Sequence, residues 1–285
     1  MCGNFDENYI MHLLGYIASL LIGISLGLIG GGGSILTMPV MVYLFGISPV
    51  TATSYSLFVV GSTSLVGAAK QYRQGTVNIR MALLFAATSV GAVFATRKWL
   101  VPAIPEQIAT IRGFSITESW LTMVLFALLM VISSVFMMRG NNKPVTEAAG
   151  NPTTHEKSGQ KFPAGKLILF GTSIGFVTGM LGAGGGFLLI PAMVLLLHLP
   201  MKEAVGTSLL VIALNSLIGF TGNLHQDSIN WQLLFVVTGL AIAGILLGSF
   251  LNSKIPAGRL KKTFGWFVLI MGVYILYKEL IFAMG

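Results

Sequence analysis

The sequence repeats itself once. Displaced by 152 residues, Gly27-Leu-Ile-Gly-Gly-Gly-Gly-Ser-Ile-Leu-Thr-Met-Pro39 lies on Gly179-Met-Leu-Gly-Ala-Gly-Gly-Gly-Phe-Leu-Leu-Ile-Pro191. The register continues without a gap: Ala52 meets Ala204, Ser56 meets Ser208, Leu57 meets Leu209, Ser64 meets Ser216, Gly67 meets Gly219, Gln74 meets Gln226 and Asn78 meets Asn230. From Gly27 to Leu84, 18 of 58 positions are identical. Apolar composition alone supplies chance matches of leucine and valine. It does not bring proline, glutamine, asparagine and two glycine runs into line together. The chain is therefore read as two copies of one unit.

The solvent for those copies follows from the charge content. Only 9% of residues are charged and 54% are hydrophobic, with a mean hydropathy of +0.84. A soluble domain carries about 25% charged residues, so this chain lacks the polar surface to coat a globule of its size. A bilayer removes that requirement. Eight apolar segments are legible: Tyr9–Phe45, Val50–Ala69, Met81–Thr96, Trp120–Met138, Leu167–Leu199, Ala204–Gly222, Trp231–Phe250 and Phe264–Ala283. The expected class is an all-α integral membrane protein with the bilayer as its main partner.

The first and fifth segments are too long for one pass. Tyr9–Phe45 as a straight helix would run about 55 Å at 1.5 Å per residue, against a hydrocarbon core of about 30 Å. Each holds a breaker: Gly30 to Gly33 followed by Pro39, and Gly182 to Gly186 followed by Pro191. Glycine weakens a helix and proline removes one of its hydrogen bonds. The first segment of each copy is expected to break there, either as a re-entrant hairpin or as two passes. The polar stretch from Arg139 to Lys166 reads as a linker. This gives an N-terminal membrane repeat at 1–139, a linker at 140–166 and a C-terminal membrane repeat at 167–285.

Charge sets the expected orientation, because Lys and Arg accumulate on the cytoplasmic side. Lys70, Arg73 and Arg80 follow the second segment with no acid, whereas its counterpart after the sixth holds only Asp227. Lys254, Arg259, Lys261 and Lys262 follow the seventh, while Arg97, Lys98 and Arg112 after the third are accompanied by Glu106 and Glu118. The bias changes sides between copies, which favours an inverted repeat with the N-terminus outside and the linker in the cytoplasm. Inversion needs an odd number of crossings per half, and a folded-back first segment supplies it. Inverted repeats with broken helices at mid-membrane are a common transporter plan. Asp6 and Glu7 precede the first segment where a signal peptide would be basic, so that segment is expected to be retained. Cys2, the single cysteine, has no partner for an internal disulfide or a metal site.

A broken helix also offers chemistry. Backbone inside a bilayer must have its polar groups satisfied. A glycine run exposes N–H groups at the start of the next half-helix, where they and the helix dipole favour an anion. The candidate substrate-binding residues are Gly31, Gly32, Gly33 and Ser34 in the first copy and Gly184, Gly185 and Gly186 in the second. Hydroxyls of the following helix, Thr53, Ser54, Ser56, Thr207 and Ser208, can add donors, with Asn215 beside them. The competing reading is ordinary helix packing, which uses the same small residues. Lys70, Arg73 and His225 are candidates for recruiting an anion or gating, against the plainer role of topology and capping at segment ends.

The pattern resembles the TauE/SafE family of sulfite and organosulfur anion exporters. The resemblance rests on the glycine break followed by proline, occurring twice, each followed by a helix bearing Ser or Thr. The stretch Gly179–Pro191, then Ala204-Val-Gly-Thr-Ser208, Asn215, His225 and Trp231, carries it best. The first copy departs from it with Thr53-Ser54-Tyr55-Ser56 and Tyr72-Arg73. It covers nearly the whole chain and implies export of a small sulfur-containing oxyanion, sulfite or an organosulfonate, across the bacterial inner membrane.

Other glycine motifs fail on spacing. A P-loop needs Gly-Lys-Ser/Thr, and Gly33 is followed by Ser34 and Ile35; a dinucleotide fingerprint needs a preceding strand. No cofactor motif, metal cluster or nucleophile–base pair is legible, so no enzyme activity is expected. No basic stretch interleaves aromatics in the manner of a nucleic-acid binder. Without an ATPase motif, transport is expected to be secondary, driven by an ion gradient such as protons or by the membrane potential. The competing classes are a facilitated permease or channel for another small solute, and a membrane enzyme or assembly factor without transport.

Overall fold

The structure is a computed structural model. It describes residues 3–105, 107–111, 114–139, 164–182, 184–186, 188–190, 193, 199–222, 229–251 and 257–284. The linker expected at 140–166 lies almost wholly outside these residues. So do His225, Pro191 and Gln226.

The first copy contributes α1 (Gly3–Ile29), a 3₁₀ turn at Gly31–Gly33, α2 (Ser34–Tyr43), α3 (Pro49–Arg73) and α4 (Ile79–Ala103). The order continues with α5 (Glu118–Arg139), α6 (Ala164–Leu181), α7 (Met201–Thr221), α8 (Trp231–Leu251) and α9 (Ala257–Met284). Six of these are long and apolar enough to cross a membrane, and the chain is a multi-pass membrane protein. The helix starts follow from local chemistry. Ser48 caps α3, its hydroxyl accepting from the Thr51 N–H, with Pro49 pre-set at the first helical position. Asn78 caps α4 in the same way through the Met81 N–H.

Two features depart from the segment reading. An antiparallel hairpin of Gln107–Ile111 and Phe114–Thr117 interrupts the all-helical plan; these strands are rich in Ile and Thr, which suit a pleat. The third segment also runs on past Thr96. Residues Thr96–Leu100 form a π-helical turn, and Arg97 is fully buried within it. The expectation that Arg97 and Lys98 sit in a loop is therefore corrected.

Helix packing is governed by glycine. Gly23-Ile-Ser-Leu-Gly27 of α1 lies against Gly244-Ile-Leu-Leu-Gly248 of α8, Gly23 on Ala241 and Gly27 on Ile245 and Ser249. Residue numbers rise together, so the two helices are parallel. α6 packs on α4 in the same sense: Gly171 meets Phe85 and Thr88, Gly175 meets Ser89, and Gly179 meets Val93 and Thr96. Lipid drives no apolar helices together, so the close approach that small residues permit is what holds these pairs.

α3 and α7 form the centre. They run antiparallel, with Gly61 on Leu217, Gly67 on Leu209 and Gly206 on Thr76. Each is 72% buried over its most apolar window, against 33–39% for α1, α4, α5 and α8. α5 and α9 also pair antiparallel, the Ser134 hydroxyl donating to the Gly265 carbonyl and the Trp120 indole to the Glu279 carbonyl. The outer helices expose apolar stripes, such as Leu13, Ile17 and Leu21 on α1, at the spacing of one helical face. In a bilayer that face meets lipid.

Candidate functional site

The two glycine runs meet at the centre of the bundle. The backbones of Gly31 and Gly186 touch so closely that a Cβ on either would overlap the other chain. Gly30, with φ 81°, ends α1 against Val205 and Ile190, and Gly182, with φ 66°, ends α6 against Thr53. Both positions require the left-handed backbone that glycine adopts freely. After Gly30 the chain folds back: Gly33 sits against Ile22 and Leu26, and the Phe45 ring meets His12 at a tilt and Tyr16 edge to face, with ring centroids 5.7 and 5.5 Å apart.

The runs are alike in sequence and differ in conformation. Gly33 is right-handed, with φ −70°, whereas Gly185 has φ 67° and Gly184 has φ 65°. In the first run the Ser34 backbone N–H closes a 3₁₀ turn on the Gly31 carbonyl, and the Ser34 hydroxyl donates to the same oxygen at 2.7 Å. The second run has Gly186 at that place, without a side chain. Gly32 lies in the first turn.

The candidate hydroxyls sort into two groups. Some are committed to the protein. Thr53 donates to the Val50 carbonyl at 2.6 Å, Ser208 donates to the Val205 carbonyl at 2.9 Å, and Thr207 accepts the Asn78 N–H at 3.0 Å. Ser54 is buried on the same turn as Thr53. Others are buried with no partner among the described residues: Ser56, and Asn215 through its Nδ2, whose Oδ1 accepts from Ser89 at 2.9 Å.

Sequence reasoning missed further members of this second group. Thr37, Thr63, Ser64, Thr178 and Ser216 are also buried without a partner among the described residues. Ser216 and Thr178 lie at the second glycine run: a Cβ on Gly184 would stand 3.0 Å from the Ser216 Oγ, and one on Gly185 would collide with the Thr178 hydroxyl. A buried hydroxyl left unpaired costs about 1–3 kcal/mol. A cluster of them beside left-handed glycines offers donors to a polar ligand. The signal was available, since Ser64 and Ser216 are identical positions of the repeat. We expect Ser216→Ala and Ser64→Ala to leave thermal stability unchanged or slightly raised, while the substrate KM rises about 3- to 10-fold. Unchanged KM in both variants would remove these hydroxyls from the site.

The basic candidates separate as well. Lys70 donates to the Ser249 hydroxyl at 2.6 Å and to the Leu246 carbonyl at 3.3 Å, tying α3 to the last turns of α8. Arg73 is exposed at the end of α3. Arg97, which the sequence reading assigned to a loop, is connected to the second glycine run through Thr53. Arg97 donates from Nη1 to the Thr53 hydroxyl at 2.7 Å, and Thr53 packs directly on Gly182. Its charge interacts with Glu118, which lines a small gap beside Thr53.

Apolar helices around a buried crossing of two glycine runs define an integral membrane protein with a polar centre. The sequence profile of the family described as sulfite exporter TauE/SafE matches residues 15–275. The chain belongs to the TauE/SafE family, as its motifs suggested. A "Probable membrane transporter protein" of Xylella fastidiosa (strain Temecula1) is 30% identical over 264 residues, 91% of this chain and 92% of the relative. The "Probable membrane transporter protein YunE" of Bacillus subtilis is 25% identical over 281 residues, 92% and 96% of the two chains. No solved structure matches significantly. The protein is a membrane transporter of this family.

Proposed function

We propose that the protein is a secondary exporter of a small sulfur-containing oxyanion, sulfite or an organosulfonate, working by alternating access between two inverted halves at 1–139 and 167–285. The observation that carries this reading is the pairing of contacts across the repeat. Gly67 rests on Leu209 and Ile245, and Gly219 rests on Leu57 and Val93, the same contact displaced by 152 residues in each member. Gly30 on Val205 repeats as Gly182 on Thr53. Gly33 on Ile22 and Leu26 repeats as Gly185 on Ile174 and Thr178. With α1 parallel to α8, α6 parallel to α4 and α3 antiparallel to α7, these pairs support a two-fold relation whose axis lies in the membrane plane.

In this reading α2, with 10 residues and thus about 15 Å long, is half of a re-entrant hairpin that brings Gly31 to mid-membrane. The crossing binds the anion, and rocking one half against the other exposes it to either side. The membrane is the bacterial inner membrane, with the N-terminus outside and the 140–166 linker in the cytoplasm.

Flux of sulfite, sulfonates and thiosulfate into proteoliposomes, with and without a pH gradient, tests the substrate and the coupling. Saturable movement of at least one sulfur anion is expected. Its absence sinks the substrate reading, and indifference to both pH gradient and potential makes the protein a passive permease. Orientation is tested separately. Single cysteines placed at Gln74 and Gln226 in a Cys2→Ser background are expected to be labelled from opposite sides of the membrane. Labelling from one side overturns the inversion.

A further inference from the structure

Arg97 is a fully buried cation among the described residues. It lies in a helix apolar enough to cross the membrane and is 0% exposed. The effective penalty for taking such an ion out of water is several kcal/mol. Ionisable groups in that position mark substrate pathways more often than scaffolding.

The surroundings have been shaped for it. α4 widens into a π-helical turn over Thr96–Leu100, a distortion that concentrates at functional sites. Gly222, the residue that caps the C-terminal end of α7, leaves the room, since a Cβ there would stand 3.1 Å from the Arg97 Cβ. The guanidinium is held by the Thr53 hydroxyl, and Thr53 in turn touches Gly182 at the second glycine run. Glu118, half-buried in the first turn of α5, supplies the opposing charge. The gap bounded by Thr53, Glu118, Thr122 and Met180 is about 10 Å³, room for one water at most.

We propose that Arg97 is the counter-charge for the transported anion, and that the Glu118 carboxylate occupies the anion's place in the conformation seen here. This deepens the exporter reading and rests on the substrate being an anion. Binding is then an exchange: an oxyanion takes the guanidinium only as the tethered carboxylate swings away. The planar fork presents parallel N–H groups to two oxygens of one oxyanion, which an ammonium does not match. Because Glu118 begins α5, its release is communicated to that helix. A purely structural ion pair predicts something different, since neutralising both members of such a pair is commonly tolerated.

The test is sulfite binding to the detergent-solubilised full chain by calorimetry, with flux in proteoliposomes. Arg97→Gln combined with Glu118→Gln is expected to remain folded and to bind about 100-fold more weakly. Arg97→Lys is expected to bind about 10-fold more weakly. Glu118→Gln alone is expected to bind more tightly, because the internal competitor is gone. A double variant that binds and transports like the wild type makes the pair structural and overturns the proposal. If the wild type ignores sulfite but takes up another anion (a sulfonate, thiosulfate, nitrate or phosphate), the substrate reading fails alone, and the same variants are scored with that anion. A wild-type chain that binds none of them overturns both.

Discussion

Replacing Gly186 by alanine is expected to abolish transport, and replacing Gly91 by alanine is expected to change nothing. The substitutions are chemically identical and both positions are glycines of this bundle. At Gly186 the new Cβ falls on the Gly31 backbone. Backbone cannot turn aside as a side-chain tip can, so the crossing of the two runs has to open. Overpacking of this kind costs about 3 kcal/mol or more, which is about 100-fold if it falls on the binding geometry alone. At Gly91 no atom lies within 4 Å of the added Cβ. Initial rates of sulfite flux, normalised to the amount reconstituted, measure the difference. Equal rates in the two variants would place the binding site away from the glycine crossing.

The second large effect is on stability. Gly27→Leu is expected to lower the apparent melting temperature by roughly 6–12 °C, taking about 3 kcal/mol for the overlap and 2–4 °C per kcal/mol for a chain of this size. Gly27 sits in the close contact of α1 with α8, its added Cβ 2.5 Å from the Ile245 carbonyl oxygen and 2.6 Å from the Ser249 nitrogen. Gly239→Leu, on an exposed face of α8, meets nothing within 4 Å and serves as the control. Thermal unfolding of the purified variants followed by light scattering decides it. A melting temperature unchanged by Gly27→Leu would mean that this glycine pairing is not what holds α1 to α8.

The helices were legible from the sequence because a run of about 20 apolar residues has few other places to be. Arg97 was not. A charge in a sequence reads as the edge of a segment, and counting charges says nothing about which way a side chain points. What admits Arg97 to the interior is a π-helical turn of its own helix and a missing side chain at Gly222, far away in the chain. The hydroxyls show the same limit. Thr207 and Ser216 are both small polar residues of α7, yet one is engaged by the Asn78 N–H while the other has no partner among the described residues. Only the register of α7 against α4 and the second glycine run distinguishes them. The two runs look interchangeable as letters, yet Gly33 is right-handed while Gly184 and Gly185 are left-handed.

The exchange of partners between α1 and α8 carries a cost that arises during synthesis. About 200 residues separate Ile29 from Trp231. A ribosome adding 5–20 residues per second takes about 10–40 s to cover them. For that interval the first helix sits in the bilayer with its Gly23–Gly27 groove open and its true neighbour not yet made. Any other small-residue helix inserted nearby is a competitor for the groove, so the yield of correctly assembled protein should depend on how quickly the C-terminal part follows.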